Sequence, residues 1–144
     1  MGPQMMSSRR PAFHIARVGD TPAQPLGTAG TQKVLLGEPC NDHSPLLMGI
    51  TQVEPGRATE LIRHDTAEIG YVIAGAGWMI ADDDDQPVQT GDAVLIAARR
   101  WHAIKAAASG LEMLYIFPSP GHPYTVAYLG RREQVLKDGG YPPT

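Results

Sequence analysis

The apolar residues of this chain come in short runs, and that spacing limits the folds open to it. K-V-L-L at 33–36, L-L-M-G-I-T-Q-V at 46–53, E-L-I-R-H at 60–64 and I-G-Y-V-I-A at 69–74 are followed by W-M-I-A at 78–81, A-V-L-I-A at 93–97, H-A-I-K-A at 102–106 and L-E-M-L-Y-I-F at 111–117. Val, Ile and Tyr are frequent within these runs, and Gly, Pro, Asp or Asn bound them. β-Branched and aromatic side chains suit a pleated surface, and the bounding residues suit turns. Short strands repeated at this interval predict an all-β sandwich or barrel. Phe13–Val18 is a further candidate strand, and Thr21–Gly30, rich in proline and glycine, is expected to be loop. The best helix signal is R-R-E-Q-V-L-K at 131–137, stopped by Gly139-Gly140.

A chain of 144 residues fits one domain and can bury a core without staples. The expected organisation is a disordered N-terminus at 1–12, a single barrel over 13–120 and a C-terminal extension at 121–144 that lies on the barrel or on a partner subunit. A net charge of −3 lacks the basic surface that a nucleic-acid binder needs. Cys40 is the single cysteine, so no intramolecular disulfide forms, and a reducing compartment suits the chain. No base lies near Cys40 in sequence to support a nucleophilic role. No export segment is evident, and no run approaches the ~20 apolar residues that span a bilayer. The expectation is a cytoplasmic protein.

Chemistry concentrates in two stretches. P-G-R-A-T-E-L-I-R-H-D-T-A-E-I-G-Y-V-I-A-G contains His64 and Glu68, and G-D-A-V-L-I-A-A-R-R-W-H ends at His102. Two imidazoles and one carboxylate make the ligand set of a catalytic metal centre with open coordination positions. Side chains alternate along a strand, so Glu60, Ile62 and His64 share one face. Asp65-Thr66-Ala67 turns the chain to set Glu68 beside His64, and Ala98-Arg99-Arg100-Trp101 turns it again before His102. Each residue also has a plainer role. His64 suits a satisfied barrel histidine, Glu68 a surface carboxylate and His102 the end of a turn.

These motifs resemble the cupin superfamily. Its first motif, G-x5-H-x-H-x3,4-E-x6-G, aligns with Gly56, Ile62, His64, Glu68 and Gly75. Its second, G-x5-P-x-G-x2-H-x3-N, aligns with Gly91, Ala97, Arg99, His102 and Ala106, both without a gap. The resemblance implies a cupin-like β-barrel, a double-stranded β-helix or jelly roll, with a short C-terminal extension. It also implies one divalent metal ion held by His64, Glu68 and His102. Ile62 stands where the family has its first histidine, which leaves three protein ligands instead of four. Ala97, Arg99 and Ala106 replace the Pro, Gly and Asn of the second motif.

A fourth ligand would come from Glu60, His43, His122 or water. Glu60 is also the first choice of catalytic base. Ile62, Tyr71, Arg99 and Tyr115 are the candidate substrate contacts. Arg99 and Arg100 can bind an anion in bidentate fashion, although paired arginines in a turn are commonly solvated. Asp82–Asp85 lacks the alternating ligands, sharp glycine turn and distal Glu of a calcium loop, and is expected to be a solvated hairpin tip.

The leading functional expectation is a small metalloenzyme acting on a small polar organic substrate. With Fe(II), the leading metal, this means dioxygenation. With Zn, Ni or Mn it means isomerisation or lyase-type elimination. The competing reading is a non-catalytic cupin that binds a sugar or carboxylate with weak or no metal. A transcriptional sensor is disfavoured because no helix-turn-helix segment accompanies the barrel. The resemblance implies a homodimer, with Phe13–Val18 and the Tyr-rich tail as candidate contacts.

Overall fold

A computed structural model describes residues 12–38, 44–81 and 84–118, and the backbone of 125–127. A 3₁₀ turn at Val18–Asp20 precedes strands β1 (Gln24–Leu26), β2 (Gly30–Leu36), β3 (Leu47–Val53), β4 (Ile62–His64), β5 (Glu68–Ile80), β6 (Gln86–Gln89), β7 (Ala93–Ile96), β8 (Ala103–Phe117) and β9 (Thr125–Ala127). One sheet runs in the order β1-β2-β3-β8-β5-β6, with β7 also pairing β5, and β4 pairs β9 in a second. The described residues are all-β, with no α-helix among them. The expected helix at 131–137 lies outside them.

Two long strands organise the sheet. The runs at 69–74 and 78–81, separate in sequence, form the single 13-residue strand β5, and those at 102–106 and 111–117 fuse into the 15-residue β8. Both gaps hold small residues or glycine, which punctuate a sequence but serve here as sites of close backbone approach. A Cβ at Gly75 would stand 2.0 Å from the Gly110 carbonyl oxygen, and one at Gly77 would stand 2.0 Å from that of Lys105. The register between β5 and β8 shifts at Val72/Ala74 and again at Gly75/Gly77. Such irregularities bend and twist strands locally. Residues from β1 and β2 at one edge and from β7 at the other line one common cavity.

Two sequence expectations change. Phe13–Val18 is not a strand: Phe13 and Ile15 are exposed, and among the described residues no strand pairs with the backbone of this segment. It ends in the 3₁₀ turn, where the Lys33 ammonium donates to the Val18 carbonyl at 2.8 Å. The stretch Thr21–Gly30, expected as loop, contains β1, which forms a hairpin with β2. Pro25 is tolerated there because β1 is an edge strand.

The main core cluster joins Val53, Val72, Ile104, Leu111 and Met113. Smaller clusters form around Leu61 and Trp101 and around Leu47, Tyr115 and Phe117. The polar residues His64, Glu68 and His102 are buried among these apolar groups.

Candidate metal centre

Backbone pairing assembles the site from three separate segments. The Ile62 N–H donates to the His102 carbonyl at 3.0 Å, and the His102 N–H returns to the Ile62 carbonyl at 2.9 Å. This two-way bridge fixes β4 against the start of β8, with His64 two residues further on. Glu68 opens β5 opposite Ile96 of β7. The turn before His102 is tied to β4 as well, since the Arg99 N–H donates to the His64 carbonyl at 2.6 Å.

His64 Nε2 lies 3.5 Å from Glu68 Oε1, and His102 Nε2 lies 3.9 Å from the same oxygen. One ligand atom from each of the three residues falls within 4.8 Å of the others. Two donors each ~2.1 Å from a common ion stand at most ~4.2 Å apart, so both carboxylate separations admit a shared ion. The donor chemistry fits too. His102 Nδ1 is 2.9 Å from the Arg100 carbonyl. A carbonyl only accepts, so Nδ1 carries the proton and Nε2 keeps the lone pair a metal requires. His64 is held by the ring of Phe117, edge-on with centroids 4.8 Å apart.

The electrostatics point the same way. Burial raises the Glu68 carboxyl from 4.5 to about 7. Burial also lowers the His102 imidazole, against a smaller raising effect from its hydrogen bond to Arg100. Desolvation opposes the charged form of each, and a cation between them would relieve the carboxylate.

A cavity of ≈ 170 Å³ opens beside the three residues. Glu60, Ile62 and Tyr115 line it, so the face shared by Glu60, Ile62 and His64 turns toward it as alternation requires. Tyr71 and Arg99 do not reach it. Tyr71 stands exposed on the opposite face of β5, and the Arg99 side chain is exposed on the turn. Arg99 holds a left-handed backbone with φ of 61°. The turn thus keeps the shape that a glycine would adopt freely. His43 and His122 lie outside the described residues, as do Cys40, Asp82 and Asp83.

Several lining residues carried no chemical signal in the sequence. Ile96, Ile104 and Phe117 belong to ordinary apolar runs, and Gln32 precedes one. Gln32 Oε1 accepts from the Tyr115 hydroxyl at 3.2 Å. That hydroxyl occupies space left by Gly49, where a Cβ would stand 2.3 Å from it.

Residues 49–117 match the family model of the cupin domain. Among curated proteins, none matches the chain in sequence. Similar solved structures include the polyketide cyclase RemF from Streptomyces resistomycificus, at TM-score 0.69 and 18% identity over 88% of this chain and 93% of that one. A cupin 2 domain-containing protein from Halorhodospira halophila has TM-score 0.64 and 24% identity over 76% and 75%. A mutant of Bacillus subtilis oxalate decarboxylase has TM-score 0.68 and 20% identity over 88% of this chain but only 37% of its own length. Family model and fold therefore agree that residues 49–117 of this chain form a cupin domain.

Proposed function

We propose that this chain is a metal-dependent cupin enzyme acting on a small organic molecule through its oxygen atoms. The observation that carries the proposal is the meeting of His64, Glu68 and His102 in the wall of a cavity, with His102 held as the tautomer that ligates through Nε2. A divalent ion bound there supplies Lewis acidity to substrate oxygens and, as Fe(II), redox capacity toward dioxygen. Dioxygenation is the activity we assign, and metal-assisted isomerisation or elimination is the alternative open to the same ligands. Two fold neighbours, a polyketide cyclase and an oxalate decarboxylase, are enzymes, in keeping with a catalytic reading.

The remaining roles fall to the chain's own groups. His64 and His102 act as neutral donors, and Glu68 brings the negative charge. Glu60 is the one carboxylate outside this trio that lines the cavity among the described residues, and it is exposed. We assign it the role of base, taking a proton from substrate and passing it to solvent. The partner we propose is a second copy of the chain, meeting it over the outer face of β5 and β7.

Elemental analysis of protein purified without chelator tests this function. About one metal ion per chain, lost in His102→Ala, supports the enzyme. Metal-free protein that still binds a small ligand favours a binding module instead, a reading for which the apolar Ile62 in place of a ligating histidine is the specific argument.

A further inference from the structure

We infer that the substrate has a single-ring, largely apolar body with its oxygen donors gathered at one end, rather than being polar throughout. The inference deepens the proposed function and rests on it for the oxygen-bearing end alone. Its basis is the composition of the cavity lining. The three ligand side chains cluster there, one donor atom of each within 4.8 Å of the others. Leu26, Ile62, Ile96, Ile104 and Phe117 form much of the remaining wall, in which Glu60 is the one further charged group among the described residues.

Four further observations sharpen this. No Lys or Arg lines the cavity among the described residues. A compact dianion would therefore bury its second carboxylate with no cation to meet it, which desolvation disfavours. The hydroxyls and amides that do line the wall are partly engaged with one another. Tyr115 donates to Gln32, and Thr59 Oγ1 accepts the Ile104 N–H at 2.9 Å. The volume of ≈ 170 Å³ is close to the ~150 Å³ of an apolar cavity that accepts benzene. Ile62, bridged through its backbone to His102, adds an aliphatic side chain to the wall that also carries the ligand cluster.

Benzoate and acetate test the inference, because they share a carboxylate and differ by the ring. Calorimetric titration is run on the full chain loaded with zinc and on the metal-free chain. Benzoate should bind at least tenfold more tightly than acetate to the loaded protein. Ile62→Asn should bring that ratio below about threefold, and so should Leu26→Asn, whose half-buried site at the cavity tolerates a polar group should the first variant fold poorly. Affinities within threefold of each other in the unmodified protein, or no measurable benzoate binding, overturn the inference. The two readings fail separately. If zinc does not bind but the benzoate preference persists, the metalloenzyme falls and the ring pocket stands. If zinc binds and the preference is absent, the reverse holds.

Discussion

Along β5, Glu68, Gly70 and Val72 are buried on the inner face, while Ile69, Tyr71 and Ile73 between them are 54%, 47% and 39% exposed. An antiparallel sheet with one wet face normally alternates apolar and polar residues. Here the alternation is of another kind. The inner face carries a buried acid and a glycine, and the outer face carries large apolar side chains. The pattern spreads across the sheet. Leu95, Ile69, Ile116 and Met48 pair laterally through β7, β5, β8 and β3, and Ala93, Tyr71, Leu114 and Ile50 form the next row. Across these four strands neither row holds a charge, and Lys33 of β2 continues the second row beside Ile50. The inner face is shaped by a site and the outer face has the composition of a covered surface.

The largest effect expected from this contrast is on packing. Met113, buried on β8 against the inner side of Gly70, should cost about 2–5 kcal/mol when replaced by alanine. Leu114→Ala, one residue along and turned outward, should cost less than half as much in the isolated chain. Urea denaturation of both variants at low protein concentration measures the difference, and equal losses would break the distinction between the faces.

The next effect is confined to the inner face. In metal-free protein, Glu68 titrates at about 7 when folded against 4.5 when unfolded. Between those values the folded chain holds the extra proton. Its stability therefore falls as pH rises through this window, by up to roughly 3 kcal/mol. His102, lowered by burial, acts oppositely: the folded chain resists the proton, so its contribution grows as pH rises toward the ordinary imidazole range. Glu68→Gln should remove the first trend and leave the second. Urea midpoints taken from pH 5 to 8 read this out, and an unchanged pH profile in Glu68→Gln would show that the carboxyl is not desolvated.

The same two faces explain what was legible in the sequence. His64, Glu68 and His102 could be found because each is a polar residue set in apolar surroundings at a defined spacing. I-G-Y-V-I-A is apolar in both phases of a period-2 pattern, so nothing in it separates inside from outside. Tyr71, a candidate substrate contact by sequence, accordingly lies on the outer face. Gly75 and Gly110 resemble strand ends, because a sequence does not distinguish a glycine that turns the chain from one that lets two backbones meet. The wall formed by Ile96, Ile104 and Phe117 comes from β7 and the two ends of β8, and only the folded sheet brings them together.

Arg99 offers a control that belongs to neither face. Its φ of 61° is a left-handed conformation that disfavours a Cβ, and its side chain is exposed. Glycine meets no such penalty there, although it has more freedom to lose on folding. Arg99→Gly should raise stability by about 1 kcal/mol or less, without changing metal content. A loss of stability in thermal melts would mean that the arginine side chain contributes more than its backbone strain costs.

The smallest effect on the isolated chain, and the one that most directly tests the outer face, comes from Leu95. It is 74% exposed and pairs with Ile69 at the edge of the apolar rows. Leu95→Lys should change the stability of a single chain by no more than about 0.5 kcal/mol, since the new ammonium stays in water. In an isologous pair, the same apolar rows would face each other across a twofold axis. The substitution would then place two ammonium groups at or near an apolar contact, which neither can enter without losing its hydration. Light scattering should accordingly give twice the chain mass for the unmodified protein and a single chain mass for Leu95→Lys, with closely matching unfolding of the dissociated chains. If the unmodified protein is already a monomer at micromolar concentration, the apolar outer face is not covered by a second copy. The inner face would be unaffected by that result, because its three ligand residues all come from one chain.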